Sequence, residues 1–378
     1  MRVLILSKSF VHGVYQRKAE LIAAEPDIDL TVAAPRSWRE PRVGEQRLER
    51  RYTAGYELVE LPIALNGRHH AHFYPTLGRL VRALRPDVFH VDEEAFNLAT
   101  FLAFRAGLSA GARCCFFNWA NNARVYPPPF RQFERFVFRH AAHGIAGNQE
   151  AAAIVRDHGY RGPLTVIPQF GVDEALFTPR APRTHGEPFV VGYLGRLVPE
   201  KGVADLVRAV AALPDARLRL IGDGSERDGL AALAQSLGIA ERVTFVPQVN
   251  SAAVPDVLRG LDALALPSRT WPNWKEQFGR VLIEAMACGV PVVGSSSGEI
   301  PHVIGDAGAV FAEGDVAALT AALHRIAENA PYAEELSRRG RARALAEYTQ
   351  SAIAGRHAAV YWAMRRTSIT EGKTSPEV

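Results

Sequence analysis

The segment FVVGYLGRLVPEKG (189–202) decides how the rest of the chain is read. FVVGYLG (189–195) is a buried β-strand, and GRLVPEKG (195–202) is the loop that leaves it. A glycine at a strand end lets the backbone turn tightly and approach a ligand. Arg196 and Lys201 then offer a planar fork and a mobile point charge, a pairing that suits a diphosphate. The residues alone leave the alternative open, a turn glycine with two solvated cations.

Upstream of this segment, strand and helix signals alternate. The strands are RVLILS (2–7), DLTVAAP (29–35), YELVELPI (56–63), DVFHV (87–91), Arg113–Phe117, HGIAGN (143–148) and LTVIPQ (164–169). A helix is expected over Val14–Ala24, and an amphipathic one over 75–85, ended by Pro86. DEALFTPRAPRTHGEP (173–188) holds three prolines and a glycine and reads as a linker. Downstream the alternation restarts, with strands LRLIGDG (218–224), VTFVP (243–247), ALALPS (263–268) and VPVVGS (290–295). Helices are expected over 204–213, Asp228–Leu237 and Val254–Arg259, and a buried one takes in Val281–Ala287. Such alternation builds mostly parallel sheets covered by helices on both faces. The predicted fold class is therefore α/β with two Rossmann-like βαβ domains in tandem, whose strand ends can face one another across a cleft. The expected boundaries are 1–180 and 181–350, then a C-terminal helix over 351–366 that returns to the first domain, and a disordered tail over 367–378.

A chain of 378 residues, 48% hydrophobic and 22% charged, fits two globular domains. No apolar run reaches the roughly 18 residues of a membrane-spanning helix. MRVLILSKSFVHG breaks after six residues at Ser7, Lys8 and Ser9, too soon for a secretory leader, so it is a first strand. Cys114, Cys115 and Cys288 are odd in number and lie in apolar surroundings, which argues for a reducing compartment and against disulfides and zinc. The expected location is the cytoplasm. Of 44 lysines and arginines only five are lysines, so each lysine position carries more information than usual. The densest basic stretch, Arg36–Arg51, sets six arginines against Glu40, Glu45 and Glu49. It reads either as a solvated loop or helix face or as a docking surface for anionic headgroups at the inner membrane face or for an anionic acceptor. Nothing interleaves aromatics with the basic residues in a recognisable nucleic-acid-binding module.

Three further loops follow strands where a ligand would sit. SKSFVHG (7–13) leaves the first strand. IGDGSERDGL (221–230) has Gly222 and Gly224, but Arg227 stands at the third glycine of a dinucleotide fingerprint, which disfavours an NAD enzyme. WKEQFGRVLIEAMACGVP (274–291) places Glu276 and Glu284 on either side of seven residues. Phe278, Val281, Leu282, Ala285 and Met286 would bury, and the amides of a helix start around Phe278–Val281 can bind an anion.

GRLVPEKG, Gly222 with Gly224, Pro267 with Ser268, Glu276 and Glu284, and AMACGVPVV (285–293) occur in order across about 100 residues. Together they resemble retaining glycosyltransferases of the GT-B fold, of the group-one (family four) class. PQFGVDEALF (168–177) resembles the Gly-Val-Asp hinge segment of that class, so the similarity covers nearly the whole chain.

The resemblance implies a nucleotide-sugar donor, a UDP- or GDP-hexose, held mainly by the second domain. Arg196 and Lys201 match the cations on the diphosphate. Glu276 matches the acid on the transferred sugar's hydroxyls, and Glu284 the acid that reaches the ribose. Gly13 matches the first-domain glycine near the phosphates. Gly195, Gly222, Gly224, Gln248 and Val249 fall in the nucleotide pocket. Gln277, Phe278, Gly279, Arg280 and Val281 surround the helix start. Relatives often carry a histidine after the fifth strand of the first domain, where this chain reads CCFFNWANN (114–122). Asn118, Trp119 and Asn121 are the acceptor-side candidates there, with His12 and Glu94. The implied mechanism is front-side transfer with retention, with no cofactor and no metal; the sequence shows no His/Cys ligand cluster. The partners would be the donor and a glycan, lipid-linked or small-molecule acceptor. A catalytically silent GT-B protein that binds sugar nucleotide, or a relative such as a nucleotide-sugar epimerase, is the alternative.

Overall fold

A computed structural model describes residues 1–40, 44–179 and 188–371, with side chains up to Arg366. The expected 180/181 boundary, most of the linker and the end of the tail lie outside the described residues. The chain divides into two compact units. One comprises Met1–Phe170 with the stretch from Gln350 onward, and the other Gly171–Thr349.

The first unit holds β1 (Arg2–Leu6), β2 (Asp29–Pro35), β3 (Ser37–Glu40), β4 (Gly44–Arg47), β5 (Glu57–Leu61), β6 (Val88–Val91), β7 (Arg113–Asn118), β8 (His143–Ala146) and β9 (Leu164–Val166). Seven of these form a sheet in the order β5-β2-β1-β6-β7-β8-β9, parallel throughout. Leu4, Ile5 and Leu6 are all buried, as a strand covered on both faces requires. β3 and β4 pair antiparallel as a separate hairpin. The Arg36–Arg51 stretch is thus neither a plain loop nor a helix face. Trp38 is buried while Arg39 and Arg47 are exposed, the alternation of a one-sided ribbon.

The last helix runs Gln350–Glu371, five residues beyond the expected end at 366. Its Ile353, Ala354, Ala358 and Tyr361 share one core with Ala19 and Ile22 of the helix Gln16–Ala23. Tyr361 also hydrogen-bonds His90 Nδ1 at 2.8 Å, a ring whose pKa burial lowers to about 4.

The second unit holds β10 (Phe189–Leu194), β11 (Ala216–Ile221), β12 (Val243–Val246), β13 (Ala263–Leu266), β14 (Val292–Ser295) and β15 (Ala309–Phe311). They form one parallel sheet in the order β12-β11-β10-β13-β14-β15. Counted among the strands of each large sheet, both orders begin 3-2-1-4-5-6, the doubly wound arrangement. The strand order reverses between β1 and β6 in the first unit and between β10 and β13 in the second. Loops leaving the two central strands diverge there, which opens a crevice at the carboxyl ends. Among the described residues no helix is long and apolar enough to cross a membrane.

Candidate active site

The reversal point of the second unit gathers the residues after β10 and β13. Lys201, in a short 3₁₀ turn after β10, places Nζ 2.6 Å from Glu276 Oε2, beyond β13. Ser268 Oγ donates to the same oxygen at 2.9 Å. The ammonium also lies 4.8 Å from the centre of the Trp274 ring, a cation–π contact that holds it from below. Trp271 and Trp274 exchange backbone hydrogen bonds of 2.7 and 3.1 Å, so the turn carrying that ring is closed on itself. Behind Glu276 the backbone is clamped: Glu299 N donates to its carbonyl at 3.0 Å. Gly298, with φ +52°, lies so close that a Cβ would stand 2.0 Å from that carbonyl oxygen. A side chain there would push Glu276 off its mark.

Beside this cluster is a cavity of about 210 Å³ whose lining includes Gly195, Arg196, Gly222, Asp223, Gln248 and Val249. Gly222 makes it possible, since a Cβ there would meet the Gly195 carbonyl oxygen at 2.0 Å. Tyr193 Oη donates to the Arg196 carbonyl at 2.7 Å, fixing the backbone while the half-exposed guanidinium stands 3.5 Å from Glu200. The helix Arg280–Ala287 starts at Gly279, in the left-handed region at φ +75°. Glu284, one turn in, is buried and accepts from Arg280 Nε at 2.7 Å. Burial pushes its carboxyl up, and Arg280 partly offsets this.

The first unit has a parallel arrangement at its own reversal point. Lys8, after β1, meets Glu93, after β6, at 2.9 Å, and the Lys8 ammonium lies 5.5 Å from the Trp38 ring centre. Glu93 also takes hydrogen bonds from His72 Nε2 at 3.1 Å and Tyr74 Oη at 2.9 Å. Burial pushes its carboxyl up, but His72 and Lys8 outweigh burial and hold it far below the usual carboxylate range. The next residue differs. Glu94 Oε1 accepts from the Trp119 and Ala120 amides at 3.0 and 3.1 Å, while its buried Oε2 has no partner among the described residues. Burial raises its pKa to about 7 despite those two amides.

Two family models match consecutive stretches of the chain, Glycosyltransferase Family 4 over 19–176 and Glycosyl transferases group 1 over 177–343. The chain belongs to the group 1 glycosyltransferases. A D-inositol 3-phosphate glycosyltransferase of Mycobacterium marinum is 40% identical over 148 residues, 36% of this chain and 31% of the relative. One from Mycobacterium sp. strain KMS is 36% identical over 193 residues, 47% of this chain and 43% of the relative. The matched region thus spans less than half the length of these curated relatives. Among solved structures, sucrose-phosphate synthase from Thermosynechococcus elongatus superposes with a TM-score of 0.70 at 21% identity, covering 97% of this chain and all of that one. HepE from Anabaena in complex with UDP gives 0.71 at 20% identity, covering 96% of this chain and all of that one. The fold is GT-B.

In this chain the structure brings Glu276 together with Lys201, and Gly195, Arg196, Gly222, Gln248 and Val249 around one cavity. Gly224 takes its own neighbour's carboxylate, with its amide 2.8 Å from Asp223 Oδ1. Phe278 is a core residue against Tyr348, and Val281 is buried; Gln277 is half-buried and Arg280 serves Glu284. Gly13, matched to the donor phosphates, gives its amide to Glu49 Oε2 at 2.8 Å, so a carboxylate of the chain itself stands on it.

Of the acceptor-side candidates, Glu94 is bonded to Trp119, and Asn118 Nδ2 reaches the Ala120 carbonyl at 3.3 Å. Asn121 instead serves Glu150 at 3.1 Å, and His12 packs edge-on against Tyr15. Lys8, Glu93, Trp274, Asp223 and Gly298 were not singled out from the sequence. The scarcity of lysine, with Lys8 directly after the first strand, is a signal that points to one of them. An Asp-x-Asp sequence, Asp27–Asp29, sits at the amino end of β2, opposite the carboxyl edge. Among the described residues no group of three or more His, Cys, Asp and Glu is placed to hold a metal ion.

Proposed function

We propose that the chain transfers a hexose-type sugar from a UDP- or GDP-sugar to a hydroxyl acceptor, with retention and without a metal. The Lys201–Glu276–Ser268 cluster over Trp274, with a cavity lined by Gly195, Arg196, Gly222 and Gln248 on the same loop system, carries this reading. Glu276 hydrogen-bonds hydroxyls of the transferred sugar. The acceptor oxygen bonds to the anomeric carbon as that carbon's bond to the diphosphate breaks, and the acceptor proton passes to a phosphate oxygen of the leaving group. Arg196 and Lys201 stabilise the charge that develops on that group. Glu284 lies deep in its helix and takes the ribose. UDP bound in the HepE structure supports a uridine donor, and relatives named for D-inositol 3-phosphate support a polyhydroxylated acceptor.

The test is release of UDP, GDP or ADP from a panel of their common sugars in the presence of candidate acceptors. Wild-type turnover should persist in EDTA, and Glu276→Ala should lower it by about 100-fold or more with the fold retained. Unchanged turnover in the variant would overturn the role of Glu276, and a strict metal requirement would overturn the mechanism.

A further inference from the structure

The basic stretch Arg36–Arg51 interleaves Glu40, Glu45 and Glu49 with its arginines, Arg50 pairs with Glu60 at 3.0 Å, and its one aromatic, Trp38, is buried rather than presented outward. The arginines of the helix Ala330–Glu347 are likewise tied, Arg338 and Arg339 to Glu335 and Arg343 to Glu347. The helix Phe130–His140 of the first unit is different. FRQFERFVFRH sets Arg131, Arg135 and Arg139 at intervals of four, a single stripe along one face, and all three are exposed. The opposite face is aromatic. Phe133 stacks on Phe101 at 4.5 Å, and Phe136 meets the same ring edge-on. The one acid, Glu134, is buried and bonded to His158 at 2.9 Å. Among the described residues none of the three arginines, nor Arg124 just before the helix, has an ion-pair partner.

Part of that stripe works against the helix that carries it, since of the three arginines only Arg139 stands in the last turn, where the macrodipole favours a cation. Like charges four apart repel, and Arg131 lies in the first turn, where the macrodipole disfavours a cation. The segment leading in is apolar and presented outward. Val125 is 86% exposed, Pro127, Pro128 and Pro129 are exposed, and Tyr126 anchors the loop by stacking on Phe96 at 3.9 Å. Unpaired arginines in a row beside an exposed apolar loop match the chemistry of an anionic bilayer surface, phosphate above and hydrocarbon below.

We propose that the helix Phe130–His140 and the loop before it seat the first unit on a membrane surface rich in anionic phospholipid, with the arginines on headgroup phosphates and Val125 below them. This surface lies in the other unit from Lys201 and Glu276, so it stands or falls separately from the donor-site reading. It would bring the enzyme to an acceptor held at that surface.

The test is co-sedimentation of the full chain with phosphatidylglycerol-containing vesicles and with pure phosphatidylcholine vesicles. The wild type should partition onto the anionic vesicles, and added salt should weaken it. Arg131→Gln with Arg135→Gln and Arg139→Gln should lower partitioning by about 100-fold, at roughly five-fold per arginine. Val125→Asp should lower it less. Arg36→Gln with Arg39→Gln and Arg47→Gln should leave it within about three-fold, and thermal melting checks that each variant is folded. Partitioning equal on both vesicle types, or a triple helix variant that binds like the wild type, would overturn the proposal. So would tighter, arginine-dependent binding to heparin, which would point to a soluble polyanion.

Discussion

Each unit sets a lysine, a glutamate and a tryptophan at the point where its strand order reverses, and the two carboxylates have different surroundings. In the first unit Lys8 holds Glu93 over Trp38, and His72 and Tyr74 close the carboxylate on its other sides, leaving the Glu93 side chain 0% exposed. In the second, Lys201 holds Glu276 over Trp274, the pair is 14% and 11% exposed, and a cavity opens alongside. Topology thus explains why a loop-end cation and a loop-end acid meet in both. The remaining partners decide what the pair is for. A carboxylate closed on all sides by side chains pins loops together, and one left partly exposed, on the loop system that also lines a cavity, can trade partners with a ligand.

The largest effect should come from breaking the closed set. Glu93→Ala leaves the buried His72 and Tyr74 without their acceptor and the partly exposed Lys8 without its counter-charge, and should cost the first unit about 3 kcal/mol in urea denaturation. A loss below about 1 kcal/mol would show that the network is not structural. Glu94 gives a smaller effect of opposite sign. Its folded pKa of about 7 lies above the ordinary carboxylate value, so the folded state is penalised increasingly as pH rises between the two. The penalty is complete above about pH 7 and absent in acid. Glu94→Gln should therefore stabilise the chain by about 1–3 kcal/mol at pH 8 and by little at pH 5. Equal gains at both pH values would mean that Glu94 is not held close to neutrality.

The sheets were legible because buried parallel strands are short apolar runs bounded by turn residues, as in Arg2–Leu6 and Ala263–Leu266. The paired strands Ser37–Glu40 and Gly44–Arg47 were not, because half of the residues in SWRE and GEQR are charged and only Trp38 is buried. The helix Leu98–Ser109 escapes a periodicity reading because apolar residues occupy most of its faces. On the site side, the donor loops were readable as local motifs, each within one loop or one helix start. Lys8 and Glu93 are 85 residues apart, and their pairing depends on β1 lying beside β6, which no local spacing encodes. Gly298 was hidden for the same reason, since its constraint is the distant carbonyl of Glu276.

The most direct test of the contrast is calorimetric titration of UDP and GDP into the wild type, Lys201→Ala and Lys8→Ala, at a temperature where all three are folded. One nucleotide should bind the wild type, bind Lys201→Ala about 10-fold more weakly, and bind Lys8→Ala within about two-fold of the wild type. Wild-type affinity in Lys201→Ala, or an equal loss in Lys8→Ala, would contradict the assignment of the donor site to the second unit's lysine–glutamate pair.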